Sequence, residues 1–478
     1  MRLVSCPRAT YERRQPEQTV LYRTIAAHLP AFLAGTAGED GTGGWPAFVR
    51  REFEAYLKCG ILDHGLLRVR CERCGDTTVV AFSCKGRGFC PSCGGRRMSE
   101  LAAHLVERVL PPVPIRQWVF TVPVPVRYQL AFDAGLTRAV LRVFLRAVFG
   151  WLRRRAARRG LVGARGGSVT AIQRFGGALN ANVHFHALVF DGVYTRATPT
   201  ARPIFHRLPP PTDADISLLL TRLQHRVRRL LARRGRLADE DAGSDPVAAQ
   251  EPLFASAVAA SLQGRVALGP RGGQPLRRLR SAAAATAGGP RCARLEGFSL
   301  HADVAVPARR RDRLEHLVRY LVRPPLAVAR LTESTGGQLL YQFRRAWSDG
   351  STALLLDPLE LLERLAALVP PPRRPLLAYH GVLAPHARWR AAIVPAAASD
   401  TGRAPAARAE RPPVPGRLSW PTLLRRVFAV DVLVCPRCAG PRRIVGAVTE
   451  PHAIQRLLGA LGLAAEPPPP TAPLAALR

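Results

Sequence analysis

Apolar residues recur along the chain with two different periods, and these periods predict its main strands and helices. Residues 117–126 (QWVFTVPVPV) are rich in β-branched and aromatic residues, which favour an extended chain. Residues 168–175 and 182–193 are predicted to form two further strands, and residues 298–306 another. The pattern therefore places several strands in the middle of the chain.

Helical spacing of apolar residues lies between these strands. Residues 99–110 predict a helix that Pro111 and Pro112 end, and residues 136–159 predict a strongly basic helix that ends before Gly160. Thr212 is a predicted N-cap for a helix that extends to Gly235, because Asp213 and Asp215 fall in its first turn. A last clear helix is expected over residues 308–322.

The alternation of these elements predicts an α+β fold with an N-terminal zinc ribbon, a central antiparallel sheet flanked by helices, and a small C-terminal module. Low-complexity stretches rich in Pro, Ala, Gly and Arg supply the boundaries between these parts. The expected parts are a helical lead-in (1–55), a zinc-binding domain (56–110), a central domain (111–397) with a loose insertion (236–294), a linker (398–417), a C-terminal CxxC module (418–465) and a Pro-rich tail (466–478).

The charge of the chain indicates what it binds. Among 478 residues there are 70 Lys and Arg against 34 Asp and Glu, a formal net charge of +36. A genome rich in G and C would explain why Arg replaces Lys, but it does not explain why basic residues outnumber acidic ones twofold. The excess therefore favours a polyanionic partner, and nucleic acid is the usual one.

The chain shows no targeting segment and no apolar run of membrane-spanning length, so we expect no membrane partner and a cytoplasmic, nucleoid-associated protein. Six of the ten cysteines fall between Cys59 and Cys93. In a large chain of this kind, such a cluster indicates metal ligation and not disulfide bonds.

Two CxxC motifs, Cys71–Cys74 and Cys90–Cys93, are separated by fifteen residues. Each motif directs two thiolates at one ion, and two motifs complete a tetrahedral zinc site. The sequence therefore predicts one structural Zn²⁺ held by these four cysteines. With four thiolates bound, no coordination position remains for catalysis. Basic residues that flank the motifs suit contacts with a DNA backbone: Arg68, Arg70, Lys85, Arg87, Arg96 and Arg97.

The other cysteines leave alternatives open. Cys59 and Cys84 have no partner at ligand spacing, so packed thiols are favoured over ligands of a second or alternative site. Cys435 and Cys438 form half of a metal site. A knuckle, a redox pair and two packed thiols all fit that motif, because no further cysteine pair follows it.

The strand of residues 182–190 (NVHFHALVF) carries His184 and His186 on one face, because side chains alternate along a strand. Two imidazoles about 7 Å apart along a strand can share a cation. Two solvated histidines are the simpler alternative. A third ligand would come from a neighbouring strand, and Gln173 and His301 are the candidates.

The helix of residues 308–322 carries a second candidate site. Its apolar stripe comprises Leu314, Leu317, Val318 and Leu321. Tyr320 lies roughly 110° from the centre of that stripe, on a face that basic side chains share with it. Nearby arginines can bind a phosphodiester and stabilise a phenolate nucleophile. A boundary tyrosine with its hydroxyl in water is the alternative. The predicted DNA contacts are Arg174, Arg313, Arg319 and Arg323.

In combination, these motifs resemble the rolling-circle transposases of insertion sequences, specifically the IS91-like group. AIQRFG and NVHFH resemble their HUH strand region, RYLVRPPL resembles their tyrosine motif, and FSCKGRGFC lies in a segment similar to their zinc-binding domain. YHGVLAP and CPRC also fit the pattern. The stretches concerned are residues 171–176, 182–186, 319–326, 82–90, 379–385 and 435–438. The resemblance covers most of residues 50–465.

The resemblance implies an HUH-type endonuclease sheet, a divalent ion held by His184 and His186, and Tyr320 as the nucleophile. It also implies nicking and rejoining of single-stranded DNA at the element ends and target through a 5′-phosphotyrosine. Imidazole ligands alone would favour Zn²⁺, whereas the family implies Mg²⁺ or Mn²⁺. Some members carry a second tyrosine one helical turn later. Pro324 stands at that position here, which implies a single-tyrosine member.

Two other functions remain open from the sequence. A replication initiator or relaxase would use the same chemistry on another element. A non-enzymatic zinc-binding DNA regulator would leave Tyr320 and the histidine pair without a catalytic role.

Overall fold

Antiparallel β-sheets organise the described part of the chain. The computed structural model describes residues 11–34, 44–236, 246–281, 289–347, 349–395, 421–422 and 431–463. Its strands are β1 (Leu66–Cys71), β2 (Thr77–Ala81), β3 (Ile115–Thr121), β4 (Gly167–Phe175), β5 (Ala181–Phe190), β6 (Gly192–Thr195), β7 (Ile204–Arg207), β8 (Arg277–Arg280), β9 (Cys292–Leu295), β10 (Phe298–His301), β11 (Ala305–Val306), β12 (Leu331–Glu333), β13 (Leu339–Gln342), β14 (Ser351–Leu356), β15 (Leu377–Gly381) and β16 (Arg442–Val448).

Helices cover and connect these sheets, which makes the fold α+β as predicted. They are α1 (Val20–Ala34), α2 (Ala47–Leu57), α3 (Pro91–Arg108), α4 (Val124–Phe132), α5 (Ala134–Ala157), α6 (Asp213–Ala232), α7 (Pro246–Gln250), α8 (Pro252–Gln263), α9 (Arg311–Leu321), α10 (Pro358–Leu368), α11 (Arg390–Ile393) and α12 (Pro451–Ala460). Among the described residues, no helix combines the length and the hydropathy that a membrane crossing requires.

A seven-stranded sheet forms the centre of the molecule, with strand order β15-β4-β5-β3-β10-β9 and β11 paired with β3. One face is apolar because Phe120 and Phe185 stack there against Phe144 of α5. The opposite face carries both histidines of β5 and is covered by α3 and α9. One face of the sheet therefore packs the aromatic core, and the other carries the two histidines, as alternation along β5 predicts.

A buried ion pair fixes the end of this sheet. Both oxygens of Asp191, directly after β5, accept hydrogen bonds from Arg116 of β3 at 2.9 Å. Arg116 also donates to the carbonyl of Ala302, in the loop after β10. Arg116 therefore links β3 to the ends of β5 and β10. Removing either member of the ion pair would leave an uncompensated buried charge.

Two elements differ from the sequence expectation. The helix expected over residues 99–110 begins at Pro91, within the second CxxC motif. The extended run expected over residues 117–126 ends at Thr121, and α4 begins at Val124. Pro125 stands in the first turn of α4, where proline has no hydrogen bond to lose and its fixed φ suits a helix.

The segment expected to be a loose insertion is largely ordered. Its helix α8 packs into the main core through Phe254 and Val258, and the ring of Phe254 contacts that of Phe132 edge-on, with their centroids 5.7 Å apart. Strand β8 joins a four-stranded sheet of order β12-β13-β14-β8. Two short parts of the insertion, 237–245 and 282–288, lie outside the described residues, as does the expected linker 398–417.

The C-terminal segment does not stand apart as its own module. Strand β16 pairs with β1 and completes a three-stranded sheet of order β16-β1-β2, with Cys71 opposite Arg442. Helix α12 packs on the same unit through Ile454 and Leu458. Residues separated by most of the chain therefore form one small zinc-ribbon-like unit.

Candidate active site and metal centres

The two histidines of β5 converge on a single point. His184 and His186 are 8 % and 5 % exposed, and their Nε2 atoms lie 2.9 Å apart. Strand alternation puts both rings on one face, and the ring centroids are 4.7 Å apart. In the absence of an ion, one ring donates to the other at this distance.

Hydrogen bonds on the far side of each ring orient the pair. Nδ1 of His184 donates to the carbonyl of Asn182 at 2.8 Å, which leaves its Nε2 lone pair free for a metal. Nε2 of Gln117 donates to Nδ1 of His186 at 2.8 Å, so Nε2 of His186 carries the proton that it donates to His184, and a flip of the Gln117 amide would free that nitrogen for a metal. The sequence analysis missed Gln117 and Asn182. Position Gln117 could have been found from its alternation with the apolar residues of β3.

Burial keeps both imidazoles neutral. It lowers the pKa of His184 to about 4 despite the opposing effect of the Asn182 carbonyl, and Arg127 and Arg323 lower it further. Burial also holds the pKa of His186 well below its usual value, with smaller contributions from neighbouring cations. Neutral imidazole is the form that binds a metal ion.

The spacing of the two Nε2 atoms can be compared with that of metal ligands. Adjacent ligands of an octahedral ion at bond lengths of about 2.0–2.1 Å lie about 2.9 Å apart. A tetrahedral zinc ion with bonds of the same length would separate them by about 3.4 Å. The observed 2.9 Å separation of His184 and His186 is that of the hydrogen bond between the two rings, which a shared ion of either geometry would replace.

The two candidate third ligands occupy different positions relative to this pair. Gln173 of β4 lies directly opposite His184, is buried, and donates through Nε2 to the carbonyl of Leu321. His301 lies in the same cross-strand row as His186, but Val119 of β3 stands between them. Among the described residues, no third His, Cys, Asp or Glu joins the pair at metal-sharing distance. The geometry thus favours Gln173 over His301.

Helix α9 brings Tyr320 to the histidine pair. Leu314, Val318 and Leu321 are buried against the sheet and α3, which leaves Tyr320 42 % exposed on the adjoining face. Its ring centroid lies 6.3 Å from that of His186, edge-on at 85°. Residues predicted from two separate periodicities are therefore neighbours in space.

The four arginines predicted to bind DNA differ in accessibility. Arg323 lies with its guanidinium 4.3 Å from the ring centroid of Tyr320 and 5.6 Å from that of Phe175. Arg313 is exposed on α9. Arg319 is held by Glu315 one turn earlier, at 3.0 Å. Arg323 is thus the arginine in direct contact with the tyrosine ring.

Arg174 is less accessible than Arg313, since it is half-buried at the end of β4. Its guanidinium donates to the carbonyl of Ala131, and burial, together with Arg374 and Arg87, lowers its pKa to about 10. The pairing of β4 with β5 is irregular next to it, between Gln173 and Phe175. A contact between Arg174 and DNA stays a prediction.

The cysteines form two clusters and not the single site expected. The inner cluster comprises Cys59, Cys84, Cys90 and Cys93, and the outer cluster comprises Cys71, Cys74, Cys435 and Cys438. The prediction that Cys71, Cys74, Cys90 and Cys93 share one ion was therefore wrong in its pairing. Each CxxC motif meets a different partner, and the favoured assignment of Cys59 and Cys84 as packed thiols also fails.

The inner cluster lies within the main core. Cys59 and Cys90 are 1 % exposed, and Phe89 packs beside them against Phe53 and Tyr56. Cys90 and Cys93 stand at the start of α3, so this cluster is attached directly to the helix that packs on α9.

The outer cluster brings cysteines from the N-terminal part of the described chain together with cysteines from its C-terminal part. Cys71 ends β1, and the β1–β16 pairing brings Cys435 and Cys438 beside it. Gly440 allows this approach, because a Cβ there would lie 2.8 Å from Cβ of Arg73. A sequence signal for this pairing existed, since Cys435–Cys438 repeats the CxxC form of the N-terminal motifs.

Both clusters have the dimensions of a tetrahedral zinc site. Zn–S bonds of about 2.3 Å place neighbouring sulfurs about 3.8 Å apart. In the inner cluster, Sγ of Cys93 lies 3.8 Å from Cys59 and 3.4 Å from Cys84. In the outer cluster, the Cys71–Cys438 and Cys74–Cys435 distances are 3.5 and 3.7 Å. Four thiolates in this arrangement support structural zinc in each cluster.

Comparison with known proteins agrees with these sites. Residues 167–390, which include both histidines and the tyrosine, match a family model described as a putative transposase. Residues 27–122, which include the inner cluster, match the transposase zinc-binding domain of IS91-type elements. No curated protein and no solved structure matches the chain. The two family matches together span the zinc domain and the central sheet, and they support an IS91-like transposase.

Proposed function

We propose that this transposase nicks and rejoins single-stranded DNA through a 5′-phosphotyrosine at Tyr320, and so drives rolling-circle transposition of its insertion sequence. One observation supports this proposal above all others. The Tyr320 ring lies edge-on to His186, whose Nε2 converges with that of His184. A tyrosine nucleophile beside two imidazoles that can hold a divalent ion is an arrangement suited to phosphodiester cleavage.

The proposed step is a transesterification. The phenolic oxygen of Tyr320 attacks the scissile phosphorus, and a P–O bond forms as the bond from phosphorus to the 3′ oxygen breaks. The phenolic proton is lost, and the departing 3′ oxygen gains a proton to become a free hydroxyl. Rejoining is the reverse, with a 3′ hydroxyl attacking the phosphotyrosine. One bond replaces another of similar energy, so no ATP is consumed.

The residues around Tyr320 have separate parts in this step. His184 and His186, with Gln173 as third ligand, would hold Mg²⁺ or Mn²⁺, which supplies polarisation of the scissile phosphate. Arg323 lies against the tyrosine ring and can neutralise charge on the bound phosphate. With the position one turn after Tyr320 taken by Pro324, a single tyrosine would serve each cleavage.

The family match favours a transposase over a replication initiator or relaxase, which would carry out the same chemistry. A non-enzymatic regulator would have no use for a tyrosine placed beside converging imidazoles. The two classes differ in one observable, a covalent bond between protein and DNA.

We expect Tyr320→Phe to abolish strand cleavage, by at least about 1000-fold, while DNA binding stays nearly unchanged. Phe keeps the ring beside Arg323 and removes only the attacking oxygen. A denaturing gel with labelled single-stranded DNA from the element ends measures the covalent adduct. Tyr379→Phe is the matched control, because it also removes one tyrosine hydroxyl. Tyr379 pairs with Val169 on β4, two same-face positions along that strand from Gln173. If the adduct forms with Tyr320→Phe but not with Tyr379→Phe, then Tyr379 is the nucleophile and the assignment of Tyr320 is wrong.

We expect His184→Ala to reduce cleavage and to respond partly to excess Mn²⁺. One imidazole and Gln173 would remain to bind the ion, at reduced affinity. His316→Ala is the control, since His316 is exposed on α9 and has no part in the pair. Equal activity of the two variants across a Mn²⁺ titration would exclude a metal site at the histidine pair.

A further inference from the structure

A cavity of about 70 Å³ lies where the zinc-binding domain meets the central sheet. Arg87 and Arg97 line it from the zinc domain, Arg174 lines it from β4, and Arg323 lines it from the segment after α9. It has room for several water molecules and therefore for a tetrahedral oxyanion. Four guanidinium groups from three parts of the fold thus share one small space.

In the described part of the chain, each of these four guanidinium groups donates to a backbone carbonyl and not to a carboxylate. The acceptors are Arg374 for Arg87, Gly86 for Arg97, Ala131 for Arg174 and Tyr320 for Arg323. Glu52 accepts from the backbone nitrogens of Arg87 and Gly88 and acts to raise the pKa of Arg87, but burial and Arg97 lower that pKa by more. One carboxylate therefore faces four cations, an imbalance that a bound anion would relieve.

The cavity adjoins the proposed active site. Arg323 lines it and also covers the ring of Tyr320, and Gln173 lines it while lying opposite His184. The zinc domain is fixed here by a close contact, since a Cβ on Gly94 would lie 2.7 Å from Cβ of Pro324. An anion in the cavity would therefore be a near neighbour of any phosphate attacked by Tyr320.

We propose that this cavity binds a backbone phosphate of the DNA strand adjacent to the phosphate that Tyr320 attacks, with Arg87 and Arg97 of the zinc domain as its ligands. The inference rests on the proposed function for the identity of the anion. The zinc-binding domain then takes a direct part in holding the substrate. Arginine suits this task because its planar fork donates two hydrogen bonds to one phosphate.

The test uses the Arg87→Ala/Arg97→Ala double variant in a Tyr320→Phe background, so that binding is measured without cleavage. We expect about tenfold weaker binding of a single-stranded oligonucleotide. The slope of log affinity against log salt should fall by about 0.7, the contribution of one phosphate. Arg50→Ala/Arg51→Ala is the control, because Arg50 and Arg51 are exposed on α2, carry the same charge and do not line the cavity.

A neutral methylphosphonate, placed at each linkage near the cleavage position in turn, locates the contact. At one linkage it should weaken binding of the parent protein about tenfold and leave the double variant unaffected. An Arg87→Ala/Arg97→Ala variant that binds like Arg50→Ala/Arg51→Ala would overturn the proposal. So would loss of zinc from that variant, because the arginines would then serve the inner cluster. These readouts concern binding alone, so a failed cleavage assay would count only against the proposed function.

Discussion

The inner and outer clusters each consist of four cysteines, but they differ in burial and in how far apart their cysteines lie along the chain. The inner cluster gathers its cysteines from one local stretch and lies in the main core, where Cys59 and Cys90 are almost inaccessible. The outer cluster joins Cys74 to Cys435, which are 361 residues apart, and Cys74 is exposed. A CxxC motif supplies two of the four ligands of a metal site. The topology of the fold determines which cysteines supply the other two.

The largest effect should follow disruption of the inner cluster. We expect Cys93→Ser to reduce bound zinc from two ions to one and to lower cleavage at least about 100-fold. Cys93 begins α3, which packs on α9, and the next residue, Gly94, contacts Pro324 beyond the tyrosine. Elemental analysis and the adduct assay measure both results. Full cleavage by a one-zinc Cys93→Ser protein would show that the inner cluster does not position Tyr320.

A smaller effect is expected from the outer cluster. Cys438→Ser should also remove one zinc ion, yet lower cleavage less than about tenfold, because β16 and α12 contact β1 and not α9. Limited proteolysis should then release the C-terminal segment that the parent protein protects. If Cys438→Ser abolished cleavage as fully as Cys93→Ser, the two clusters would not differ in function as their positions indicate.

The smallest effect concerns the rate of metal loss. We expect a chelator to remove zinc from the parent protein in two phases, with the outer cluster first, because Cys74 is exposed while Cys59 and Cys90 are buried. A metal-sensitive dye reports the release. The Cys438→Ser protein should show the slow phase alone. Two phases in that variant, or a single phase in the parent, would remove the distinction between the clusters.

What the sequence could predict depended on distance along the chain. Alternation within one strand placed His184 and His186 on one face, and the helical period left Tyr320 beside the apolar stripe of α9. Both features are local, and the structure confirms their placement. The partners of Cys71 and Cys74 depend on the β1–β16 pairing between distant parts of the chain, which no local pattern encodes. Likewise, no local pattern encodes the contact of Arg174 with the carbonyl of Ala131 in α4.

The span of the outer cluster also has a consequence in time. A ribosome that adds about 5–20 residues each second needs about 20–70 s to proceed from Cys74 to Cys435, a distance of 361 residues. Throughout that interval Cys71 and Cys74 have emerged without the partners that complete their metal site. The inner cluster, by contrast, can close as soon as Cys93 has left the exit tunnel. Completion of the outer cluster therefore marks a chain whose translation has passed Cys438.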